Sequence, residues 1–376
     1  MSDSSLTVHP TLTCRSEESE GELEEDLDYP DYDSDLEEEF FLDDYEDEIY
    51  DDYEYEEMHE FYVEDHEIPR QSPLSWAVQN EHTDIVRLLL NREDIKPDLA
   101  DNEGRTPLFL ACNSGYEEAV ELLLERGAAI DPNVRGPWQT FSPLTAAAFH
   151  SHEGVVKLLL THSDIDPNVS SYDGLTALSL AASGGHEGIV KLLLACGSID
   201  LNSTEPVNGR RALGQAACNG HKGVVELLLA CKGTEPNHLD LNCQTALSIA
   251  AENGHLGVVK ALLGCKATNP SLGDVSNRSP LCYAICRGWG EMVKELVARP
   301  DLDLNESPVG GGPTALSLAV GSGDDEVVRI LLERDDVDVN LADAHGRSPL
   351  WHAMESGNEV IAKILVARGG IKTGPE

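Results

Sequence analysis

The stretch Thr176–Gly197 reads TALSLAASGGHEGIVKLLLACG and predicts two short helices joined by a turn. Thr176 can cap the first helix, because a hydroxyl at that position accepts a hydrogen bond from a free backbone N–H. Gly184 and Gly185 favour the end of this helix, and Gly197 is expected to stop the second one. Neither helix is long enough to be stable alone in water. Each therefore needs a neighbour that covers its apolar side.

The chain supplies that neighbour by repeating the stretch. The counterpart of Leu178 recurs every 34–36 residues, which predicts about nine consecutive units. Ser or Thr stands two positions before this leucine in every unit except one, where Arg211 takes its place. The repeated leucines are Leu74, Leu108, Leu144, Leu178, Leu213, Leu247, Leu281, Leu316 and Leu350.

This pattern resembles the ankyrin repeat from about Gln71 to the C-terminus. The T-P-L-H-x-A signature of that family appears as Thr106-Pro107-Leu108-Phe109-Leu110-Ala111, and again in Ser279–Ala284 and Ser348–Ala353. The His of the signature is missing from every unit, and Pro is replaced by Ala in four of them. The resemblance implies an all-α solenoid of stacked helix pairs with short β-hairpin fingers. It also implies that the stack is curved, with the bases of the fingers on the concave side, and that it binds proteins.

The charge of the chain is concentrated at its N-terminal end. The formal net charge is −43, and residues 1–68 hold 29 of the 69 acidic residues with a single base, Arg15. Such self-repulsion with few aliphatic residues predicts disorder. We therefore divide the chain into an acidic, Tyr-rich tail, residues 1–68, and an ankyrin-type solenoid of about nine repeats, residues 69–376.

Aromatic side chains interrupt the acidic tail, for example Tyr29, Phe40 and Tyr53. A tail of this composition can act as a solubilising segment only. Alternatively, acids mixed with bulky apolar residues are typical of segments that bind a basic and partly apolar partner. Both interpretations remain open from the sequence.

The composition also bears on compartment and partners. A strongly acidic chain repels nucleic acid phosphates and anionic membrane surfaces, so neither is an expected partner. Three cysteines, Cys196, Cys231 and Cys265, occupy the same place in successive units. Stacked helices lie about 8–10 Å apart, which exceeds the roughly 7 Å between Cα atoms that a disulfide tolerates. We interpret all nine cysteines as reduced and the protein as intracellular, in the cytoplasm or nucleus.

No pattern in the sequence predicts a catalytic, cofactor or metal site. One His per unit follows the first helix, and such a ladder cannot converge on one metal ion. The triplet Gly310–Gly312 lacks the Lys of a phosphate-binding loop. The positions of the ladder are His82, His152, His186, His221 and His255. We therefore expect a protein that is not an enzyme and has no cofactor.

Candidate partner-binding residues are those that break the repeat at exposed positions. Arg recurs directly before the Ser/Thr position, near the base of the fingers, and one unit carries a second Arg beside it. Trp138 and Phe141 are expected to be exposed aromatics in the long connection before the third unit. Arg and aromatic side chains are the usual anchors of protein interfaces. The predicted set is Arg105, Trp138, Phe141, Arg210, Arg211, Arg278 and Arg347.

The leading hypothesis is a non-catalytic, monomeric scaffold or adaptor that binds another protein on the concave face. A first alternative is an acidic, chaperone-like or decoy protein whose tail binds basic proteins such as histones. A second alternative, by analogy with other ankyrin proteins, is the substrate-recognition subunit of a ubiquitin ligase.

Overall fold

The computed structural model describes residues 71–135, 141–276, 278–306 and 313–374. Within these ranges the chain forms eighteen α-helices in nine consecutive pairs, which confirms the predicted all-α class and the number of units. We number the units 1 to 9 in chain order. The predicted disorder of the acidic tail concerns residues outside the described ranges, so that interpretation stays a prediction.

The first helix of each unit has seven or eight residues. The nine first helices are α1 (Pro73–Gln79), α3 (Pro107–Ser114), α5 (Pro143–Phe149), α7 (Ala177–Ser183), α9 (Ala212–Cys218), α11 (Ala246–Glu252), α13 (Pro280–Cys286), α15 (Ala315–Gly321) and α17 (Pro349–Glu355). The second helix has eight or nine residues. The nine second helices are α2 (Thr83–Leu90), α4 (Glu117–Leu124), α6 (Glu153–Thr161), α8 (Glu187–Leu194), α10 (Lys222–Leu229), α12 (Leu256–Gly264), α14 (Gly290–Val297), α16 (Asp325–Leu332) and α18 (Glu359–Ala367).

A hydroxyl caps the first helix in eight of the nine units. The Oγ1 atom of Thr176, for example, accepts a hydrogen bond from the Ser179 amide at 3.2 Å. The expected stop at Gly197 is wrong by a few residues. Helix α8 ends at Leu194, because the Cys196 amide bonds to the Leu193 carbonyl three residues back instead of continuing the helical pattern of bonds four residues back. The capping residues are Ser72, Thr106, Ser142, Thr176, Thr245, Ser279, Thr314 and Ser348.

Each unit buries its apolar side against its neighbours. First helices pack on first helices of adjacent units, and second helices pack on second helices in the same way. The nine repeated leucines are all at most 5% exposed, so the predicted hydrophobic stripe is confirmed as the core. Leu193 on the second helix of unit 4 is completely buried. The core is therefore a continuous line of side chains that passes through every unit.

In several units a His side chain packs on a Gly of the preceding unit and hydrogen-bonds to a backbone carbonyl there. The Nε2 atom of His221 lies 2.8 Å from the carbonyl oxygen of Ser183, and His152 and His255 make equivalent contacts. The imidazole of His221 packs on Gly185, where an added Cβ would lie 2.5 Å from its Nδ1 atom. Gly185 also has a φ of +70°, which favours glycine. These three members of the His ladder are therefore structural contacts between units.

A second ladder, built from Asn side chains, joins the loops that follow the second helices. Asn168 donates from Nδ2 to the Ser198 carbonyl at 2.8 Å and accepts from the Asp200 amide at 2.7 Å. Asp98 holds the corresponding place at the start of the array. Its Oδ2 atom accepts from the Asp131 amide at 3.4 Å, while its buried Oδ1 atom has no hydrogen-bond partner. A carboxylate cannot donate as the Asn amide does.

The fingers are shorter than the resemblance implied. In unit 2 the finger is a turn, in which the Asp101 amide donates to the Arg105 carbonyl at 3.0 Å. Equivalent bonds close the fingers of units 4, 6, 7 and 9. Among the described residues the only β-type pairing is an isolated bridge between Ser170 and Thr176. The fingers are therefore tight turns, with too few paired residues to form strands.

Replacement of Leu193 by Ala tests the stacking of the units. We expect a loss of about 2–5 kcal/mol in the free energy of unfolding, because a fully buried leucine leaves a cavity. Since each unit is stabilised by its neighbours, the urea transition measured by circular dichroism should also become less cooperative. The control is Leu88→Ala, whose side chain is 69% exposed, and its unfolding midpoint should stay near that of the wild type. An unchanged midpoint in Leu193→Ala would contradict the packing described above.

Replacement of Asp98 by Asn should stabilise the array by about 1 kcal/mol, because an amide restores the missing donor. Burial raises the pKa of Asp98 from 3.8, and the charge of Asp131 adds to this effect. A raised pKa stabilises the folded state below pH 3.8, and this contribution is lost as pH rises through the folded pKa. As pH rises from 3.8 through the folded pKa of Asp98, the unfolding free energy should therefore fall less steeply in Asp98→Asn than in the wild type.

The reverse change, Asn168→Asp, provides the matched control for this prediction. It should introduce an unpaired carboxylate oxygen in the middle of the array and lower the urea midpoint at neutral pH. If Asp98→Asn and Asn168→Asp shift the midpoint in the same direction, the proposed role of the amide donor is wrong.

Candidate functional site

In units 3 and 6 a side-chain contact joins the last finger residue to the end of the first helix, so both lie on one face of the unit. In unit 3 the rings of Phe141 and Phe149 are 5.2 Å apart. In unit 6 the Gln244 amide donates to the Glu252 carboxylate at 2.6 Å. These contacts define the concave face of the described units as the surface formed by the fingers and the first helices.

A carboxylate organises most of the fingers on this face. The Oδ1 atom of Asp101 accepts from the amides of Glu103 and Arg105, at 3.0 and 2.8 Å, and so fixes the turn. Its Oδ2 atom accepts from the Arg105 side chain at 2.9 Å. Arg105 therefore serves as a clamp for its own finger, and only 24% of its side chain is exposed. Arg105 is therefore not the freely exposed anchor that the sequence pattern predicts.

Units 7 and 9 repeat the clamp and add an aromatic contact. Arg278 donates from Nε to Asp274 at 3.0 Å, and its guanidinium lies 4.9 Å from the ring centre of Tyr283. Burial would raise the pKa of Asp274, but hydrogen bonds from the Arg278 amide, the Tyr283 hydroxyl and the guanidinium lower it overall. In unit 9 Arg347 pairs with Asp343 at 2.8 Å.

The Asp343 carboxylate is held in its charged form. Burial opposes ionisation, but hydrogen bonds from the Arg347 amide, its guanidinium and the His352 ring outweigh burial and lower the pKa of Asp343 to about 2. The His352 Nε2 atom lies 3.0 Å from the carboxylate. Arg347 therefore stands in a tight polar cluster that supports its finger.

Unit 5 departs from this arrangement. Its finger begins with Glu205, and the Glu205 carboxylate accepts from the amides of Val207 and Asn208 at 2.7 and 2.9 Å. Arg210 instead reaches the next unit and donates from Nε to Asp240 at 3.3 Å. The junction between units 5 and 6 is thus bridged by an Arg–Asp pair, whereas in units 2, 7 and 9 the Arg and the Asp belong to the same finger.

Arg211 replaces the hydroxyl cap of helix α9. Its Nη1 atom donates to the Glu235 carboxylate at 2.6 Å, and this hydrogen bond lowers the pKa of Glu235. The Arg211 side chain is 17% exposed, whereas that of Glu235 is 62% exposed. The Nε atom of Arg211 is buried and has no hydrogen-bond partner. A buried donor without a partner is uncommon in folded proteins and calls for an explanation.

A notch opens beside this side chain, between units 5 and 6. Gly214 stands in its wall at a position where the neighbouring units carry Ser179 and Ser248, so one side chain is missing. The enclosed space is about 20 Å³, room for about one water molecule, and its mouth is open to solvent. We call this pocket the unit 5–6 notch; it is lined by Arg210, Arg211, Leu213, Gly214, Glu235, Pro236, His238, Asp240, Gln244, Ala246 and Ile249.

Of the two predicted aromatic anchors, the structure describes Phe141 but not Trp138. Phe141 is half-buried rather than exposed, because its ring packs against the core and against Phe149. Phe149 is 48% exposed, and its ring contacts that of His150 at 5.0 Å. Trp138 lies outside the described residues. Phe149 is a further exposed aromatic side chain on this face that the sequence pattern did not predict. It is the last residue of helix α5, seven residues after the cap Ser142, and that position could have marked it.

Exposed apolar side chains also stand at the tips of four successive fingers. Tyr172, Val207, Leu241 and Val275 are each at least 64% exposed. The Leu241 amide donates to the Asn208 carbonyl at 2.8 Å, so the fingers of units 5 and 6 contact each other directly. These four residues were not among the predicted site residues. An apolar residue inside a predicted turn is the sequence feature that could have identified them.

Of the predicted site residues, only Arg210 and Arg211 line a common pocket. Arg105, Arg278 and Arg347 are distributed over separate units, each in its own finger clamp. In the described part of the chain no group of three or more His, Cys, Asp or Glu side chains could hold a metal ion. The same part has no helix that is long and apolar enough to cross a membrane. Its eight cysteines are free thiols.

A family model described as ankyrin repeats in three copies matches residues 52–136, 144–240, 213–308 and 281–374. These matches cover well over half of the chain. The chain belongs to the ankyrin-repeat family. Ankyrin repeats generally mediate protein–protein interaction and are typically not catalytic. The first of these matches begins at residue 52, within the segment that we predict to be the acidic tail.

Several ankyrin-containing proteins are similar to parts of this chain. Ankyrin repeat and SOCS box protein 11 of Mus musculus is 33% identical over 112 residues, which is 30% of this chain and 33% of that protein. The B-cell lymphoma 3 protein homolog of Mus musculus is 33% identical over 112 residues, covering 29% and 24%. Human Rabankyrin-5 is 38% identical over 74 residues, covering 20% and 6%. The matches thus span 6% to 33% of these relatives.

A solved structure agrees with the fold. The crystal structure of the ankyrin repeat domain of Bcl-3, described as a unique member of the IkappaB protein family, has a TM-score of 0.53 and 28% sequence identity. The likeness covers 60% of this chain and 98% of that chain. It agrees with the helix pairs described above and places them in a known ankyrin arrangement.

Replacement of Arg211 by Thr should stabilise the ankyrin array by about 1 kcal/mol, since it restores a hydroxyl cap. The backbone already suits a cap, because Arg211 has φ −96° and ψ 170°, close to the −84° and 164° of Thr176. Thermal unfolding followed by circular dichroism measures the change. Thr176→Ala is the matched control and should lose a similar amount. A lower melting temperature in Arg211→Thr would show that the Arg211–Glu235 pair outweighs the cap.

Proposed function

We propose that this protein is a non-catalytic interaction scaffold or adaptor that binds another protein on its concave face. The observation that carries the proposal is a difference between the two exposed surfaces of the array. The concave face presents aromatic and Arg side chains, including Phe149, which is 48% exposed, and the cluster around Arg211. Such residues dominate the binding energy of protein interfaces.

The exposed side of the second helices has a different chemistry in the inner units, whereas the terminal helices α2 and α18 also expose apolar residues such as Leu88 and Val366. Exposed Lys and Glu side chains form pairs one turn apart, for example Lys191 with Glu187 at 3.4 Å and Lys363 with Glu359 at 3.1 Å. Surface pairs of this kind add little stability, and flexible charged side chains are depleted from interface centres. This contrast supports the concave face as the side that docks.

Enzymatic activity is not part of the proposal. The ankyrin repeat is typically an interaction domain, and Arg210 and Arg211 in the notch are paired with Asp240 and Glu235. We also propose that the array binds as a monomer and needs no cofactor. The protein would then act by bringing a partner to a place or to a second protein.

Two alternatives remain hypotheses. The histone-type alternative depends on the acidic tail, which lies outside the described residues. The ubiquitin-ligase alternative has the similarity to the SOCS box protein in its favour, but that match covers only 33% of the other protein. The proposed adaptor function depends on neither.

Site-specific photocrosslinking of the full chain in cells tests the proposal. Benzoylphenylalanine at Phe149 replaces one exposed aromatic of the concave face by another, while the same residue at Lys191 probes the outward side of unit 4 as a control. We expect a discrete crosslinked protein from position 149 and none from position 191. Equal adducts from both positions, or none from position 149, would contradict binding on the concave face.

A third position separates the histone-type alternative from the proposal. Benzoylphenylalanine at Tyr45 lies within the acidic tail. Histones or other basic proteins crosslinked only from position 45 would favour the decoy function over the scaffold. The same partner crosslinked from position 149 and absent from position 45 would support the scaffold.

A further inference from the structure

We propose that the unit 5–6 notch is the docking point for one carboxylate side chain of a partner protein, within a segment where aliphatic or aromatic residues flank that acid. This inference rests on the proposed function and names the chemistry of the segment that the concave face takes. It follows from four features of the same junction.

The first feature is a pair of residues in unit 5, Arg211 and Gly214, that differ from the residues at the same positions in the other units. Arg211 stands where eight units have a helix-capping hydroxyl, so helix α9 begins without a side-chain cap. Gly214 stands three residues later, inside the helix, where glycine is less favourable than alanine. Residues that contradict the local pattern without structural benefit are typical of functional sites. Here the two exceptions line the same pocket.

The second feature is the unused donor of Arg211. Its Nη1 atom is bonded to Glu235, while Nε is buried beside the notch without a partner. A guanidinium presents its donors as a planar fork that matches both oxygens of a carboxylate. Arg211 therefore still has donor capacity that a planar acceptor could use.

The third feature is the weak ion pair between the Arg211 guanidinium and the Glu235 carboxylate. The Glu235 side chain is 62% exposed and comes from the loop before the finger of unit 6. An exposed carboxylate gains little from one ion pair, because water solvates it well. The carboxylate of a partner can therefore replace Glu235 on Arg211, and Glu235 can turn outward into solvent. The charge of Arg211 stays neutralised throughout the exchange.

The fourth feature is the apolar surface on the two fingers that meet at this junction. Val207 and Leu241, at the tips of the fingers of units 5 and 6, are 64% and 65% exposed. The Leu241 amide donates to the Asn208 carbonyl at 2.8 Å, so the two fingers touch. A partner segment in which apolar residues flank the acid could cover these tips while its acid binds at the notch.

The charge and size of the notch favour a carboxylate over a phosphate. Asp240 and Glu235 both line the pocket, so a doubly charged phosphate would meet more repulsion than a singly charged carboxylate. The enclosed space of about 20 Å³ holds no more than a water-sized group, so the partner carboxylate binds at the mouth of the notch, where the Glu235 carboxylate lies. Gly214 provides the space, because a Cβ there would lie 3.6 Å from Arg210 Cβ, in ordinary contact.

Parallel peptide selections test the inference. Random 12-residue peptides displayed on phage are selected on the immobilised full chain, once with the wild type and once with Arg211→Thr. The strongest wild-type peptide is then synthesised, together with a copy in which its acid is changed to the amide. Dissociation constants are measured by fluorescence polarisation against the wild type, Arg211→Thr, Gly214→Ser and Arg287→Gln. Arg287 is an exposed Arg at the end of α13, outside the notch, and serves as the charge control.

We expect the wild-type selection to yield peptides that share one Asp or Glu beside an aliphatic or aromatic residue, and the Arg211→Thr selection to lack them. Loss of the acid, or of Arg211, should weaken binding about ten- to a hundredfold, as for a charge-assisted hydrogen bond. The two changes together should cost no more than either alone. Gly214→Ser should weaken binding by filling the notch, and Arg287→Gln should leave it within about twofold.

Unfolding cannot explain the expected losses, because Arg211→Thr and Gly214→Ser both favour helix α9. The inference is overturned if both selections yield the same peptides, if no peptide is selected, or if wild-type peptides carry no acid. A peptide with phosphoserine in place of the acid that binds more tightly would overturn the preference for carboxylate. Photocrosslinking at position 149 stands independently, so the scaffold function can survive the failure of this inference.

Discussion

The structure depends on one constraint: no helix pair can bury its own apolar surface. Helices of seven to nine residues are too short to be stable alone, so every unit needs a neighbour on each side. This explains why Leu178 and its eight counterparts lie in one continuous core rather than in separate centres. It also explains why side-chain hydrogen bonds such as those of His221 and Asn168 cross from one unit to the next. The stability of any surface on the array is therefore shared with its neighbours.

Charged residues on the concave face hold the finger turns in place, apart from any contact with a partner. In most fingers an aspartate fixes the turn through one oxygen and holds an Arg through the other, as with Asp101 and Arg105. The Arg is then positioned at low entropic cost, which favours binding if a partner reaches its remaining donors. Unit 5 lacks this internal clamp, so Arg210 and Arg211 are drawn toward the next unit. The exceptional unit thereby acquires a pocket that the regular units do not have.

The sequence predicted the repeated part of this structure well and its irregular part poorly. Periodic leucines and capping hydroxyls determine the helix pairs locally, so units, caps and core followed from spacing alone. The roles of Arg105, Arg278 and Arg347 did not follow, since a side chain three to five residues from an acid can face either it or solvent. The notch was missed for a related reason. Arg211 was recognised as an exception, but Glu235 contacts it from 24 residues away, and only the packing of two units shows this.

The ladders between units have a mechanical consequence. The packing contacts and the His and Asn hydrogen bonds each join a unit to its immediate neighbours, so the junctions behave as springs connected in series. Compliance adds along such a series, and small rotations at each junction accumulate into large displacements between distant units. Two contact points on adjacent units, such as the notch and the finger tips beside it, therefore keep a nearly fixed spacing. Contact points at opposite ends can adjust to partners of different length.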